Sequence, residues 1–310
     1  MDAESPRKPW YSRFRYIILV GILAVLLLFS LFPLGPANPK PRDQVALDGA
    51  ITYFAKNYDD TLGMIPAAPG SHVFWLTSDN YLVDLALLRY SPGNETTTSF
   101  GAVLFTALSG YEATLPGALL QSQYTALNST AASFDCSADY VASWSTGGQI
   151  APGNGSAVLM TTANNQSPSC ALQNYADLLF LQAVYYHRLG NATAAASYYQ
   201  MGAKDFDGTG FVDLVNQGST QSTLTYQTNK VALYVYASIC LGEQGSALPT
   251  AESTLLYMQD NSTGGFATSY GPNLTSLSGP TISPTSGVNT ETTALAALAL
   301  ELMITPTATC

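Results

Sequence analysis

Basic residues are scarce in this chain once its first 42 residues are passed. The 310 residues include 11 Lys and Arg against 21 Asp and Glu, and more than half of the basic ones stand at or before position 42. Beyond that position, five basic residues face 19 acidic ones, a net charge of −14. This acidity excludes nucleic acid as a partner, because binding to a phosphate backbone depends on Lys and Arg. It also disfavours anionic membrane surfaces and anionic polymers.

Histidine is nearly absent, and the motifs of several enzyme classes are missing. The two histidines are His72 and His187, and neither has the Ser and Asp surroundings of a hydrolase triad. The sequence contains no Cys-x-x-Cys pair and no Gly-rich phosphate loop. We therefore expect no cofactor, with calcium as the one exception argued below.

Cysteine is rare too. The four cysteines are Cys136, Cys170, Cys240 and Cys310. An even number is typical of disulfides in an oxidising compartment, and four cysteines allow three pairings. A bond between the first two would close the least helical part of the chain, and one between the last two would tie residue 310 to a helix.

One long apolar run lies near the N-terminus. Residues 16–32 carry no charge and give roughly 26 Å of helix, which Leu34 extends toward the 30 Å of a hydrocarbon core. We predict a transmembrane signal-anchor helix over 16–34, with the membrane as its partner. More basic residues precede the run than closely follow it, so residues 1–15 are predicted to be cytoplasmic and the rest extracellular. A cleaved signal peptide is the alternative.

The chain beyond the apolar run reads as a stalk and an external domain. Residues 35–42 are rich in proline and predict an extended stalk, and 43–310 are predicted to form the domain. Seven Asn-x-Ser/Thr sequons favour a glycosylated surface protein. They begin at Asn94, Asn128, Asn154, Asn165, Asn191, Asn261 and Asn273.

A two-part motif recurs four times in this domain. A Thr–Gly loop is followed, about 17 to 26 residues later, by an Asn that opens an apolar helical run. The loops span 61–65, 146–150, 209–212 and 263–266. The asparagines are Asn80, Asn174, Asn229 and Asn289. A repeat of this size predicts stacked helical hairpins, each of which buries its apolar face against its neighbours.

The spacing of apolar residues predicts two kinds of helix. The helices after the four asparagines have almost no polar face and are predicted to be inner helices. The more amphipathic segments, predicted to be outer helices, are 43–58, 192–205 and 249–260. Further helices are predicted at 98–110 and 116–128. Residues 130–169, rich in Ser, Thr, Gly and Asn, predict an irregular insertion that holds at most a small hairpin.

Three stretches of this pattern resemble an α/α toroid, the barrel of six-hairpin glycosidases, terpenoid cyclases and prenyltransferase β-subunits. They are 74–80, 264–268 and 289–295. The resemblance implies an all-α fold, a toroid of about five to six helical hairpins that follows the transmembrane helix. The chain lacks the DxDD motif of cyclases and the zinc ligands of prenyltransferases. Glycan-active toroids therefore remain, and these commonly carry paired carboxylates and aromatic residues at the barrel mouth.

In such a barrel the inner helices begin at one rim, where chemistry is expected. The plain interpretation of the four asparagines is capping of free N–H groups. The rim also favours carboxylates, and Asp79, Asp177 and Glu291 lie in or near the first turns. These acids either complement the helix dipoles or act as the acid and base of glycoside cleavage. Asp79 and Glu291 form the preferred pair, because closure of the ring makes the first and last inner helices neighbours.

Polar and aromatic residues near the same rim are candidates for substrate binding. They are Trp75, Asn80, Tyr81, Asn174, Tyr175, Tyr226, Tyr270 and Asn289. Aromatic faces suit stacking on sugars or contact with apolar ligands. The alternative interpretation is that these rings fill the core.

One loop has the spacing of a calcium site. Asp205, Asp207, Thr209 and Asp213 take the places of oxygen ligands in an EF-hand loop, and a glycine stands at its sixth position. The twelfth position is Asn216 where such loops carry a bidentate Glu. The same stretch also aligns with the repeat loops, so calcium binding is one of two interpretations.

Two functions follow from these patterns. The first is a membrane-anchored, carbohydrate-active enzyme of the hydrolase, lyase or epimerase type that acts through its rim carboxylates on an extracellular glycan. The alternative is a non-catalytic, glycosylated surface protein for binding or envelope assembly. Acids at some repeats and not at others favour the enzyme, whereas the sequons and the scarcity of charge favour the surface protein.

Overall fold

The structure is a computed structural model that describes most of the chain beyond the predicted stalk. The described ranges are 40–71, 74–90, 95–114, 118–119, 122–127, 138–144, 157–163, 174–213, 225–273, 281–306 and 310. Residues Pro41–Cys310 form one compact unit. The predicted segments 1–15 and 16–34 and most of the stalk lie outside the description. Within it, every helix is too short or too polar to cross a bilayer.

Helices make up most of the described chain. The α-helices are α1 (Arg42–Asn57), α2 (Thr77–Tyr90), α3 (Glu95–Thr114), α4 (Ala176–Arg188), α5 (Ala192–Ala203), α6 (Thr228–Leu241), α7 (Leu248–Tyr257) and α8 (Thr290–Ile304). Their positions follow the predicted helices to within a few residues, with one exception. The helix predicted at 116–128 is wrong, because the chain there forms a short strand and the 3₁₀ helix Ser122–Leu127.

Short strands connect the helices. They are β1 (Phe74–Leu76), β2 (Ala118–Leu119), β3 (Ala138–Trp144), β4 (Ala157–Ala163), β5 (Tyr226–Gln227), β6 (Phe266–Ala267), β7 (Ser269–Asn273), β8 (Thr281–Pro284) and β9 (Val288–Asn289). β4 pairs in parallel with β1 and antiparallel with β2 and β3. β7 lies between β5 and β8, and β6 pairs with β9. The predicted irregular insertion therefore contributes two of the longer strands.

The all-α toroid of five to six hairpins is corrected by these strands. Three of the inner helices, α2, α6 and α8, are each entered directly from a strand, namely β1, β5 and β9. Backbone groups ahead of a helix have no partner within it, and pairing with a neighbouring segment satisfies them. A count of apolar periods along the chain does not register strands of two or three residues.

The helices nevertheless sort into inner and outer sets within the described part of the chain. α8 packs on α1, α2 and α6, and α6 packs in turn on α4. α3, α5 and α7 lie outside α2, α4 and α6 respectively. Ala and Leu cover every side of the middle of α8, where the residues from Ala294 to Leu300 are at most 1% exposed. The predicted burial of this helix is confirmed.

The repeat loop at 146–150 lies outside the described residues, and the other three are closed by aspartates that the predicted motif left out. Oδ1 of Asp59 accepts from the Thr61 N–H at 2.9 Å, and Oδ1 of Asp207 accepts from the Thr209 N–H at 2.9 Å. Oδ1 of Asp260 does the same for Ser262 at 2.8 Å. Each is an Asx turn, in which a carboxylate replaces a backbone acceptor. The repeated unit is therefore an Asp-x-Thr/Ser turn that ends on glycine.

The four repeat asparagines are not equivalent in space. Asn289 is the N-cap of α8 and accepts from the Thr292 N–H at 2.8 Å, as predicted. Asn80 lies in the first turn of α2, where its side chain bonds both the N–H and the C=O of Ile65. Neither α4 nor α6 has a side-chain cap from its predicted asparagine. The helices align on their first residues, which are Thr77, Ala176, Thr228 and Thr290.

One predicted disulfide is present. Cys240 in α6 is bonded to Cys310, with the two Cα atoms 5.6 Å apart and a separation of 70 positions along the chain. Closing a loop of that length stabilises the fold by about 4 kcal/mol through the unfolded state. Cys136 and Cys170 lie outside the described residues.

A buried acid in α2 makes stability depend on pH. Asp84 is 3% exposed, its Oδ1 has no partner among the described residues, and burial raises its pKa from 3.8 to about 6. Its contribution to stability is therefore present below pH 4 and lost as the pH rises through 6. We expect Asp84→Asn to raise the free energy of unfolding by about 2–3 kcal/mol at pH 7 and to change it little at pH 4.

Urea denaturation at the two pH values measures this difference. Asp60→Asn, which neutralises an exposed acid, is the control for loss of one charge. An Asp84→Asn gain that is the same at pH 4 and pH 7 would contradict the assignment, because a neutral carboxyl and an amide differ little at acidic pH.

Candidate functional site

Three predicted carboxylates lie in the first turns of three inner helices. Asp79 is the third residue of α2, Asp177 the second of α4, and Glu291 the second of α8. The charge of Glu291 raises the pKa of Asp79, and the charge of Asp177 raises the pKa of Glu291. The charges of these carboxyls therefore influence one another, Glu291 acting on Asp79 and Asp177 on Glu291, and we call the three residues the acidic cluster.

Asp79 is the most buried member of the cluster. It is 2% exposed, and burial first, then the charge of Glu291, raises its pKa well above the usual 3.8. A hydrogen bond from Ser78 Oγ at 3.4 Å opposes this shift. The environment therefore favours the protonated carboxyl, the form that can give up a proton.

Glu291 is bonded differently. The hydroxyl of Tyr124, in the 3₁₀ helix, donates to Oε1 of Glu291. Burial and the charge of Asp177 raise the pKa of Glu291, and the Tyr124 bond opposes both. A hydrogen bond from a hydroxyl stabilises the ionised form of a carboxylate. When the two acids share one proton, Asp79 is the residue to hold it and Glu291 the residue to carry the charge.

Asp177 connects the cluster to a buried ion pair. Burial raises its pKa, the positive charge of Lys230 opposes that effect, and the charge of Asp213 adds to it. Lys230 and Asp213 are 3% and 7% exposed and form a salt bridge. Asp213 Oδ1 also accepts from the N–H of Ala176, the first residue of α4, at 3.1 Å. This pair therefore places a cation beside Asp213 and Asp177 and anchors the helix that carries Asp177.

Most of the predicted substrate-binding rings are buried. Trp75, Tyr81, Tyr226 and Tyr270 are at most 5% exposed. Tyr226 and Tyr270 stack on each other with ring centres 5.4 Å apart. Tyr175, at 39% exposed, offers surface to solvent just before α4. Four of the five rings thus lie in the core in this conformation.

The three asparagines predicted to bind substrate have different positions and different hydrogen bonds in the structure. Asn80 and Asn289 hold backbone groups, as described above. Asn174 precedes α4 and is half-buried. Sugar contacts by these amides remain a prediction.

The predicted calcium loop is a repeat turn in the structure. Asp207 uses Oδ1 for the N–H groups of Thr209 and Gly210, and its Oδ2 accepts from the Tyr226 hydroxyl at 2.6 Å. Asp213 forms the buried salt bridge with Lys230. In the described part of the chain, no three His, Cys, Asp or Glu side chains are grouped to hold a metal. Calcium binding by Asp205, Asp207, Thr209 and Asp213 therefore stays a prediction from sequence.

Three cavities of about 770, 560 and 280 Å³ open on the described surface. The largest is lined by Arg42, Thr209 and residues of α7. None of the three is lined by Asp79, Asp177 or Glu291.

Sequence reasoning missed two residues of the site. Tyr124 lies in a segment with no motif of its own, so nothing in its neighbourhood along the chain pointed to it. Lys230 did carry a signal. It is a cation in the first turn of a nearly wholly apolar helix, and a buried Lys needs an anionic partner.

The chain matches no protein-family model, no curated protein and no solved structure. Any function of this chain therefore has to be inferred from the geometry of its site.

Proposed function

We propose that this protein is a carbohydrate-active enzyme of the hydrolase, lyase or epimerase type that works through the acidic cluster. Asp79 is the general acid, and Glu291 is the base or nucleophile. The observation that carries the proposal is the pairing of two interacting carboxyls whose surroundings differ. Such pairs are typical of acid–base catalysis, because opposite roles need opposite protonation states.

The proposed chemistry follows from that asymmetry. Cleavage of a glycosidic bond needs one carboxyl to protonate the leaving oxygen and a second carboxylate to activate water or to attack the sugar. Asp79 has the raised pKa that the first role requires. Glu291, with the Tyr124 hydroxyl on Oε1, is suited to the second. The negative charge of Asp177 favours retention of a proton within the cluster.

The location is part of the proposal. We infer an external domain that is anchored through residues 16–34 and exposed to glycans. The Cys240–Cys310 bond supports an oxidising compartment. Two sequon asparagines, Asn191 and Asn261, are exposed, so an attached glycan would meet no steric obstacle there.

A specific observation favours the second candidate, a non-catalytic surface protein. Asp79 is 2% exposed, and the cavities described above do not reach it. Catalysis therefore requires the segments that cover the start of the inner helices to move apart and admit the substrate. Without opening, the acids serve as complements to the helix dipoles.

Release of reducing sugar from a panel of polysaccharides, by the chain in detergent, tests the proposal. We expect Asp79→Asn and Glu291→Gln each to lower kcat/KM by at least about 10³-fold, because each removes a proton-transfer or nucleophilic group. Asp60→Asn, at an exposed acid, should keep full activity. Tyr124→Phe should retain turnover but move the acidic limb of the pH profile to higher pH, because loss of the hydrogen bond raises the pKa of Glu291.

The outcomes separate the two candidates. Turnover that survives in both carboxylate variants would reject the assignment of the site. Glycan binding without turnover, unchanged in the variants, would favour the surface protein.

A further inference from the structure

A second buried acid lies at the opposite end of α8 from the acidic cluster. Glu301 follows Glu291 by ten residues, which is about 15 Å along a helix axis. It is 6% exposed. The acid–base chemistry proposed above makes no use of it.

The carboxylate of Glu301 has no internal partner. Within the described residues, neither Oε1 nor Oε2 makes a hydrogen bond. Burial raises its pKa well above 4.5, and the nearby charge of Arg89 opposes this shift. A buried polar group without a partner costs free energy, so its presence calls for an explanation such as a functional role or a bound water or ion.

Arg89, the nearest cation, is engaged elsewhere. Its Nη1 donates to the Tyr236 hydroxyl at 2.8 Å, and its Nη2 donates to the Leu127 carbonyl at 3.2 Å. Its guanidinium also lies over the Tyr236 ring, 5.6 Å from the ring centre. These bonds hold Arg89 toward α6 and the 3₁₀ helix, so Glu301 remains open to another donor.

Glu301 lines the cavity of about 280 Å³, which lies between the start of α1 and the ends of α2 and α8. Leu47, Leu302 and Ile304 supply apolar walls, and Gln44, Tyr90, Arg89 and Thr305 supply polar ones. Gln44 donates to Asp48 at 2.9 Å, and the Tyr90 hydroxyl donates to the same Asp48 oxygen at 2.6 Å. The polar walls are thus held in place, and Glu301 supplies the two buried acceptor oxygens of this lining that have no partner among the described residues.

We propose that this cavity binds a small organic cation with a planar pair of N–H donors, of the amidinium or guanidinium class. Such a group meets both oxygens of a carboxylate at once, and a charge-assisted pair of bonds is stronger than a neutral one. The apolar walls suit a hydrocarbon or aromatic body. The acidity of the domain attracts cations and disfavours anions. Because Arg89 is close by, a flat donor pair that reaches Glu301 directly is a better fit than a diffuse positive charge.

Binding of benzamidine to the whole chain in detergent tests this site, with benzamide as the neutral analogue of the same shape. Isothermal titration at constant ionic strength should show saturable binding of benzamidine and at least tenfold weaker binding of benzamide. Glu301→Gln should weaken benzamidine at least tenfold. Asp84→Asn, which alters another buried acid of the interior, should leave the affinity unchanged.

A second variant protects the test against a misfolded Glu301→Gln protein. Ile304→Trp keeps the carboxylate and adds a large side chain to the wall of the cavity, so it should abolish binding of benzamidine. Equal binding of benzamide and benzamidine would overturn the proposal. Absence of binding by either compound, or undiminished binding in a folded Glu301→Gln protein, would overturn it as well.

Discussion

Gly264→Ala should lower the free energy of unfolding of the domain by about 3 kcal/mol or more. Gly264 has a φ of +83°, and a Cβ at this position would lie 2.2 Å from the backbone oxygen of Gly49 in α1. A left-handed conformation costs an L-residue about 1–2 kcal/mol. The overlap is with backbone, which has no alternative rotamer, so α1 must move away from the loop. Gln259 bonds the carbonyls of Ala46 and Gly264, so that movement also breaks its hydrogen bonds.

Gly190→Ala is the matched control. Gly190 has a similar φ of +74°, and a Cβ there would meet nothing within 4 Å. The free energy of unfolding of this variant should fall only by the cost of a left-handed backbone in an L-residue, about 1–2 kcal/mol. Urea denaturation of both variants measures the difference. Equal losses would mean that the close approach of α1 to the loop does not limit stability.

Lys230→Met should lower the free energy of unfolding by about 3–5 kcal/mol. Lys230 and Asp213 are both nearly fully buried, and removal of one partner leaves a charge without compensation in the interior. Lys230 also opposes the burial effect on Asp177, so its removal makes the ionised form of that acid less favourable too. The start of α4 is affected as well, because Asp213 holds the Ala176 N–H.

A double-mutant cycle separates the pair from its surroundings. Lys230→Met combined with Asp213→Asn should recover much of the loss, because no unpaired charge then remains. Lys204→Met, which removes an exposed lysine, should stay within about 0.5 kcal/mol of the parent. If Lys230→Met were as mild as Lys204→Met, the buried pair would contribute nothing to the fold.

Much of the candidate site was accessible from sequence. Asp79, Asp177 and Glu291 were predicted from their positions at the openings of apolar runs, and the structure places each of them in the first turn of an inner helix. The prediction worked because a helix start is a local property, set by composition and by the demand for carboxylates at free N–H groups. Their catalytic role remains the proposal to be tested.

The partners of these acids were not accessible in the same way. Tyr124 reaches Glu291 across 167 positions of the chain, and no local pattern marks that contact. For the four repeat asparagines the sequence pattern was misleading. They follow similar residues in the sequence, but they occupy different positions relative to the starts of their helices. The aspartates of the Asx turns were not part of the predicted motif, because that motif began at Thr and the aspartates precede it.

The sequence by itself determined the acidic character of the chain, the positions of nearly all helices and the burial of α8. These properties depend on composition and on periodicity over a few helical turns, and both are set by residues close together in the sequence. Only the tertiary structure decided the short strands, the pairing of Cys240 with Cys310, the Tyr124 bond and the cavity at Glu301. Each of these joins segments far apart in the chain. Their energies arise from burial and from the few ångströms between groups, which neighbours in sequence do not specify.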